Sequence, residues 1–223
     1  MIAAVITTKN EAPTIGGLVR RLTDMGIWVW VIDDNSTDGT GLVAAQYGAH
    51  IATQVVGRGI SGGLMQGWNA ALAWGADPII QMDAGGSHSP EDVPFLVAAA
   101  VTHDVAIGSR FLDGSAYIGP RWRSLGSRIA TAAYNVKTGG RFSDVTSGFR
   151  CYRAEALNAI LDMAIAEKHL AAYHGFQIQA LHYARKLKLH IAEVPITYRA
   201  GRSSLSRRVA LEALGVWWRL KCK

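Results

Sequence analysis

Over its first 109 residues the chain alternates short apolar runs with stretches whose apolar positions recur every three or four residues. Ala3 to Thr8 is β-rich, and Ile15, Leu18, Val19 and Leu22 follow at helical spacing. Trp28 to Ile32 reads as a second strand, ending in Asp33-Asp34, after which Ser36 and Asp38 are placed to cap a helix running to about Gly48. Ile51 to Val56 contains a third extended segment, and a glycine-rich stretch from Gly57 to Gly67 leads into a helix ending near Gly75. Pro78 to Met82 predicts a strand ending at Asp83, Pro90 opens a helix, and Val105 to Ile107 is one more strand. Strands alternating with helices predict an α/β fold, a mainly parallel sheet flanked by helices. Ligands of such sheets sit beyond the carboxyl ends of the strands, which is where Asp33, Asp34 and Asp83 fall.

The second half is less regular. Helices are expected over Trp122 to Lys137, Ala154 to Ala166 and Phe176 to Lys186. A short strand is expected at Phe149 to Tyr152, and another lies within Leu189 to Tyr198, where Pro195 suggests a sheet edge or strand end. Residues 1–200 read as one domain and residues 201–223 as a C-terminal amphipathic helix. On that helix Leu205, Val209, Ala213, Val216, Trp217 and Leu220 share one face and Arg208, Glu212 and Arg219 the other. It suits either its own domain or a membrane interface, or both if Trp217 and Trp218 divide between them.

Charge divides the chain. Residues 1–109 hold 4 Lys/Arg against 10 Asp/Glu, and residues 110–223 hold 19 against 7. The acidic front suits polar recognition and a cation, and the basic back suits phosphate, an anionic membrane or nucleic acid. No run of about 18 apolar residues occurs, so no membrane span is expected. The apolar start, Met1 to Ile6, lacks the basic leader of a signal peptide. Cys151 and Cys222 lack metal-ligand spacing and read as free thiols of a reducing compartment. His169, His174, His182 and His190 are scattered.

Two adjacent acids at a strand end, Asp33 and Asp34, cost stability unless polar groups satisfy them, as a base and ribose can. Asp83 at the end of a strand can bind a divalent cation that bridges a diphosphate. Asn10 is placed to cap the first helix.

The ordered set Asn10-Glu11, Asp33 to Thr40, Met82-Asp83-Ala84, Ser87 to Pro90, Ile107 to Arg110 and Thr146 to Arg150 resembles the family 2 glycosyltransferases. Gly175 to Gln179, Glu193 to Tyr198 and Gly201 to Ser206 resemble its polyprenyl-phosphate branch, which contains dolichol-phosphate mannosyltransferase. The resemblance implies the GT-A fold, a nucleoside-diphosphate sugar donor of the GDP-mannose or UDP-glucose type, and transfer with inversion. It implies Thr8, Asn10, Glu11, Asp33, Asp34 and Ser36 around the nucleotide sugar and Asp83 at the diphosphate and its Mg2+ or Mn2+. Arg110, Arg123, Ser127, Arg150 and Arg202 become candidates for the acceptor phosphate. Asp83, Arg110 and Asp144 are the catalytic candidates.

A polyprenyl phosphate is already an anion and needs no general base, whereas an alcohol acceptor needs one, for which Asp144 is the first choice and His88 a weaker one. Met by a peripheral protein at the cytoplasmic face of a membrane, that lipid would contact the C-terminal helix and the loop from Gly114 to Trp122. In that loop Tyr117, Ile118 and Trp122 stand beside Arg121 and Arg123. Two positions depart from the family pattern. Gly85 stands where a second acid is usual and Gln179 where an acid is common. Asp83 with Ser87, His88 or water still suffices for a magnesium ion; alternatively arginines replace the metal, or the protein binds a nucleotide sugar without turnover. A modified nucleic-acid base is the alternative acceptor, although no nucleic-acid-binding motif is visible.

Overall fold

The computed structural model describes residues 1–55, 59–167, 169–201 and 207–220. The front of the chain runs β1 (Ala3–Thr8), α1 (Ala12–Asp24), β2 (Trp28–Asp33), α2 (Thr40–Gln46), β3 (His50–Thr53), α3 (Gly59–Ala73) and β4 (Ile79–Asp83). A single 3-10 turn, Pro90–Asp92, leads into α4 (Val93–Ala99) and β5 (Val105–Ser109). The back runs β6 (Ala116–Ile118), α5 (Trp122–Thr138), β7 (Arg150–Tyr152), α6 (Ala154–Ala166), α7 (Gly175–Lys186), β8 (Ile191–Pro195), β9 (Thr197–Arg199) and α8 (Arg207–Arg219).

Seven strands form one sheet in the order β3-β2-β1-β4-β7-β5-β8. Every pairing is parallel except those of β7, which runs antiparallel between β4 and β5. Pro195 ends β8, the edge strand, where a missing N–H costs no ladder bond. β6 pairs with β9 in a separate parallel ribbon. That ribbon was not expected from the sequence, since three residues leave too little pattern to read. It packs part of the loop read as interfacial: Tyr117 stacks on Tyr198 at 5.7 Å, while Ile118 and Trp122 stay exposed.

Alternate residues of the strands feed two cores. Ala3 and Val5 of β1 face a cluster built on α3, α6 and α7, and Ala4 and Ile6 face one built on α1 and α4. Trp68 of α3 is fully buried against Tyr152 and Phe176, with ring centroids at 5.5 and 5.6 Å. The glycine-rich stretch, expected to be loop, is the first half of α3. A Cβ at Gly67 would meet Val5 at 2.4 Å and one at Gly63 would meet Thr7 at 2.9 Å, so these glycines let the helix close on β1. They serve packing; Gly57 itself lies outside the described residues.

α8 packs on α7 and α5. Val216 and Leu220 are buried, and Trp217 donates its indole N–H to Ala133 O at 3.1 Å, while Trp218 is 78% exposed. The two tryptophans do divide. Glu212, expected on the outer face, instead accepts the N–H groups of Ala172 and Tyr173. Leu205 and Cys222 lie outside the described residues. Cys151 is a buried free thiol, pushed up to about 12 by burial first and by Asp77 second, and so inert.

Candidate active site

β1 and β2 are parallel with Thr8 opposite Asp33, so the loops that follow them emerge side by side. Each turns through an asparagine in the left-handed region, Asn10 at φ 55° and Asn35 at 53°. The loops cap one another. Asn10 N donates to Ser36 Oγ at 2.8 Å, Glu11 N to Thr40 Oγ1 at 2.8 Å and Ala12 N to Asp38 Oδ2 at 3.1 Å. In return Thr37 N donates to Asn10 Oδ1 at 2.9 Å. Ser36, expected to cap α2, instead satisfies the start of α1, and Asn10 serves the opposite loop; Asp38 does both, its Oδ1 accepting the N–H of Thr40, the first residue of α2, at 3.0 Å. The Thr40 hydroxyl, above all, holds the Asp38 carboxyl below its usual range.

The adjacent acids are tolerated because each has a partner. Asp33 Oδ1 accepts the N–H and the hydroxyl of Ser36, and Asp34 pairs with Lys9 at 3.1 Å. Both remain within reach of a ligand, Asp34 with 40% of its side chain exposed. Thr8, expected among the nucleotide contacts, is covered: its hydroxyl is buried without a protein partner.

Asp83 ends β4 beside Thr7 of β1 and is about half exposed. His88 Nδ1 accepts the Asp83 N–H at 3.3 Å and lies 3.9 Å from its Oδ2. The imidazole is buried, stacked on Phe149 at 4.9 Å and beside Tyr198 at 5.6 Å. Burial lowers its pKa by more than Asp83 raises it, which favours the neutral ring, and an Nδ1 that accepts the Asp83 N–H leaves the ring proton to Nε2. Here it props the Asp83 turn. Thr14 Oγ1 lies 3.2 Å from Glu11 Oε2 and 3.0 Å from Ala84 O, linking the first loop to the Asp83 loop. A Cβ at Gly85 would stand 3.4 Å from Glu11 Oε1, so a second acid there would look onto an existing carboxylate.

Among the described residues no three His, Cys, Asp or Glu converge on a metal position. One partly exposed carboxylate fits a magnesium-type ion that takes its other ligands from water and a diphosphate; it does not fit an all-protein cage.

Across the site Arg110 forms a bidentate pair with Asp144, Nε to Oδ2 at 2.6 Å and Nη2 to Oδ1 at 2.8 Å, and reaches Thr146 Oγ1 at 2.5 Å. The Asp144 side chain is 0% exposed and that of Arg110 11%. Burial alone would lower the pKa of Arg110, and the pair with Asp144 outweighs it and raises the value. The guanidinium lies 5.0 Å from the Tyr198 ring, so Asp83, His88, Tyr198, Arg110 and Asp144 form a continuous row. Glu193 holds the far end by accepting the N–H groups of Ser143 and Asp144 at 2.8 and 2.9 Å.

Asp144 and Arg150 do not hold the places expected of them. A sealed carboxylate engaged with Arg110 and Thr146 is not an available general base, so Asp144 positions Arg110. Arg150 is fully buried and spends its guanidinium on Ser147 O and Val145 O at 2.9 and 3.0 Å, bracing the turn and out of reach of an acceptor phosphate. Arg123 Nη1 donates to Gly201 O at 2.7 Å, and Ser127 follows one turn later, half-buried. Arg202 lies outside the described residues.

Gln179 is structural. It accepts Ala171 N at 2.7 Å and donates to His169 O at 2.9 Å, a double role that a carboxylate cannot fill. Its neighbour Gln177 was not anticipated. A Cβ at Gly148 would lie 3.4 Å from Asp83 Oδ1 and 3.5 Å from Gln177 Nε2, which places this amide beside the Asp83 carboxylate. The signal was the same Gly-Phe-Gln-Ile-Gln run, read at the wrong glutamine. Thr14 carried no signal beyond helix spacing.

The chain is 33% identical to undecaprenyl-phosphate mannosyltransferase of Micrococcus luteus, over 96% of this chain and 90% of that protein. It is 31% identical to polyprenol monophosphomannose synthase of Mycolicibacterium smegmatis, over 91% of this chain and 79% of that one. Glucosyl-3-phosphoglycerate synthase from Mycobacterium tuberculosis, in complex with phosphoglyceric acid, superposes with a TM-score of 0.73 at 22% identity, over 97% of this chain and 77% of that one. The same enzyme with Mn2+ and UDP-glucose gives 0.72 at 23% identity, over 97% and 76%. The fold is therefore the GT-A arrangement that the sequence implied. The description "Glycosyl transferase family 2" matches residues 3–161, which carry the Asp33 loop, Asp83 and the Arg110–Asp144 pair, and the chain belongs to that family of glycosyltransferases.

Proposed function

We propose that this glycosyltransferase moves a hexose, mannose or glucose, from a nucleoside-diphosphate sugar of the GDP-mannose or UDP-glucose type to a polyprenyl phosphate of the dolichol type, with inversion. The observation that carries the reading is the Arg110–Asp144 pair. The carboxylate best placed to serve as a base is sealed against the arginine, and His88 is buried and props Asp83. A site with a fixed cation, in which both of the expected bases are already engaged, suits a nucleophile that arrives ionised, as a phosphate does. The names of the two bacterial relatives support the same acceptor.

In this reading Glu11, Asp33, Asp34, Asn10 and Ser36 hold the nucleotide sugar. Asp83 would hold Mg2+ or Mn2+ together with diphosphate oxygens, and the ion would offset charge on the leaving group. Arg110, with Arg123 and Ser127, orients the acceptor phosphate, and Arg202 joins them on the strength of the family resemblance alone. An oxygen of that phosphate attacks the anomeric carbon opposite the diphosphate. A new C–O bond forms as the old one breaks, and the electron pair leaves with the nucleoside diphosphate. No helix among the described residues is long and apolar enough to cross a membrane; we place the protein peripherally, at the cytoplasmic face.

The test incubates the protein with a panel of nucleotide sugars, Mg2+ or Mn2+, and a short soluble polyprenyl phosphate, and reads glycolipid and nucleoside diphosphate by mass spectrometry, with a chelator arm. Glycolipid that disappears with chelator is the expected result. Donor binding without product from any polyprenyl phosphate overturns the acceptor, and transfer to a nucleic-acid base instead would replace it.

A further inference from the structure

Two glutamines near the start of α7, Gln177 and Gln179, are both buried, at 2 and 7% exposed. The chain treats them differently. Gln179 has both ends of its amide engaged, by Ala171 N and His169 O. Gln177 Oε1 is sealed from solvent without a hydrogen-bond partner, and its Nε2 donates to none of the described residues. A buried amide left unpaired destabilises the fold unless something outside the chain completes it.

The position of Gln177 narrows what that partner is. A Cβ on Gly148 would stand 3.4 Å from Asp83 Oδ1 and 3.5 Å from Gln177 Nε2, so the bare glycine leaves a gap between carboxylate and amide. Along the sheet edge that carries the site, the strand order sets Asp33 of β2 first, then Asp83 of β4, then the Gly148 turn that enters β7, then Arg110 after β5. On the proposed reading the nucleoside, the diphosphate and the acceptor phosphate lie at the first, second and last of these. The hexose joins the diphosphate to the acceptor and so falls at the Gly148 gap. Hydrogen-bond chemistry selects the same group. Diphosphate and acceptor phosphate are ionised and bring acceptors, which the Gln177 carbonyl cannot use. A sugar hydroxyl both donates and accepts, and two neighbouring hydroxyls of a pyranose supply the donor and the acceptor that this amide lacks.

We infer that Gln177 is a hexose-binding residue. Its Oε1 accepts from one hydroxyl of the transferred sugar and its Nε2 donates to the next, which holds the anomeric carbon between Asp83 and Arg110. The assignment rests on the proposed donor chemistry and does not depend on the acceptor. A free nucleoside diphosphate leaves the amide unpaired and a nucleotide sugar completes it, so the site holds the unreacted donor more tightly than the spent one.

Calorimetric titration with GDP-mannose, UDP-glucose, GDP and UDP, in Mn2+ and without acceptor, reads the contact. The parent should bind one nucleotide sugar more tightly than its diphosphate. Gln177→Met keeps the length of the side chain and removes both polar ends. It should unfold at the parent's temperature or higher, bind the diphosphate as the parent does, and bind the nucleotide sugar about tenfold more weakly. Among donors that each lack a single sugar hydroxyl, one should bind the parent about tenfold more weakly and lose nothing further in Gln177→Met. A variant that binds the nucleotide sugar as well as the parent overturns the assignment. So does a variant that unfolds early and loses both ligands alike, which would make Gln177 part of the fold. A parent that binds the diphosphate and gains nothing from the sugar overturns the assignment alone, whereas one that binds neither refutes the donor reading with it. The expected binding pattern without transfer to a polyprenyl phosphate would refute the proposed acceptor and leave Gln177 in its role.

Discussion

The proposed donor end and the proposed acceptor end of the site hold their charges in opposite ways. At the donor end Asp33, Asp34 and Asp83 are partly exposed, and two neighbouring loops satisfy one another through short bonds. At the acceptor end Arg110 and Asp144 are sealed together, and Glu193 braces them from a distant strand. The contrast teaches that Asp34 and Asp83 keep carboxylate surface open to a ligand, whereas the Arg110–Asp144 pair is part of the fold.

Breaking the acceptor pair should have the largest effect. Asp144→Ala leaves a buried guanidinium without its partner, which costs about 3–5 kcal/mol and should lower the thermal unfolding midpoint by about 10 °C. Chemical denaturation measures it, and an unchanged stability would erase the contrast. Asp83→Asn should do the reverse: stability within about 0.5 kcal/mol of the parent, with turnover down by about a hundredfold or more. Equal losses of both quantities would mean that Asp83 too is part of the fold.

A smaller effect sharpens the comparison through pH. His182 is pushed down to about 4, chiefly by burial and then by Lys186, Arg185 and Lys137. Its folded pKa lies below the ordinary 6.5, so the unfolded chain binds more protons between those values. Stability should be full above about pH 6.5 and decline as the pH falls toward 4, and His182→Gln should flatten the decline. An unaltered slope in the variant would assign the acid lability to another group. Smallest is Gly85→Asp. The new carboxylate faces Glu11, so the variant should lose about 0.5–1 kcal/mol in chelator and recover it with Mn2+ and a nucleoside diphosphate. Thermal unfolding under both conditions reads this, and a loss that Mn2+ leaves in place would show that position 85 cannot share the ion with Asp83.

The donor end was legible because each of its acids directly follows a strand, and strand period and strand end can be read from a linear pattern. Which residue caps which helix was not: Ser36 and Asn10 are 26 positions apart and meet through the pairing of β1 with β2. At the acceptor end Arg110, Arg123 and Arg150 look alike as letters. Burial separates them, and it arises from how β7 and α5 pack. β6 was too short to show a period, and the glycines of α3 read as loop because their need is set by β1.

One consequence concerns how such a protein could be altered. β7 runs back between β4 and β5, so the forty residues from Arg110 to Phe149 leave and re-enter the sheet at the same end. Ile107 and Arg150 are paired across adjacent strands, which sit about 4.8 Å apart. The excursion between them therefore has both roots pinned, and lengthening it adds little closure entropy. It behaves as a cassette plugged into one socket, whose contacts lie with β8, β9, α7 and α8 and which touches the Asp83 loop only near its end, through Gly148 and Phe149. On the proposed roles, a segment grafted there from a relative with another acceptor should change the acceptor and leave the choice of sugar nucleotide to β1, β2 and β4, provided that Gly148 and Phe149 keep their places against Asp83 and His88.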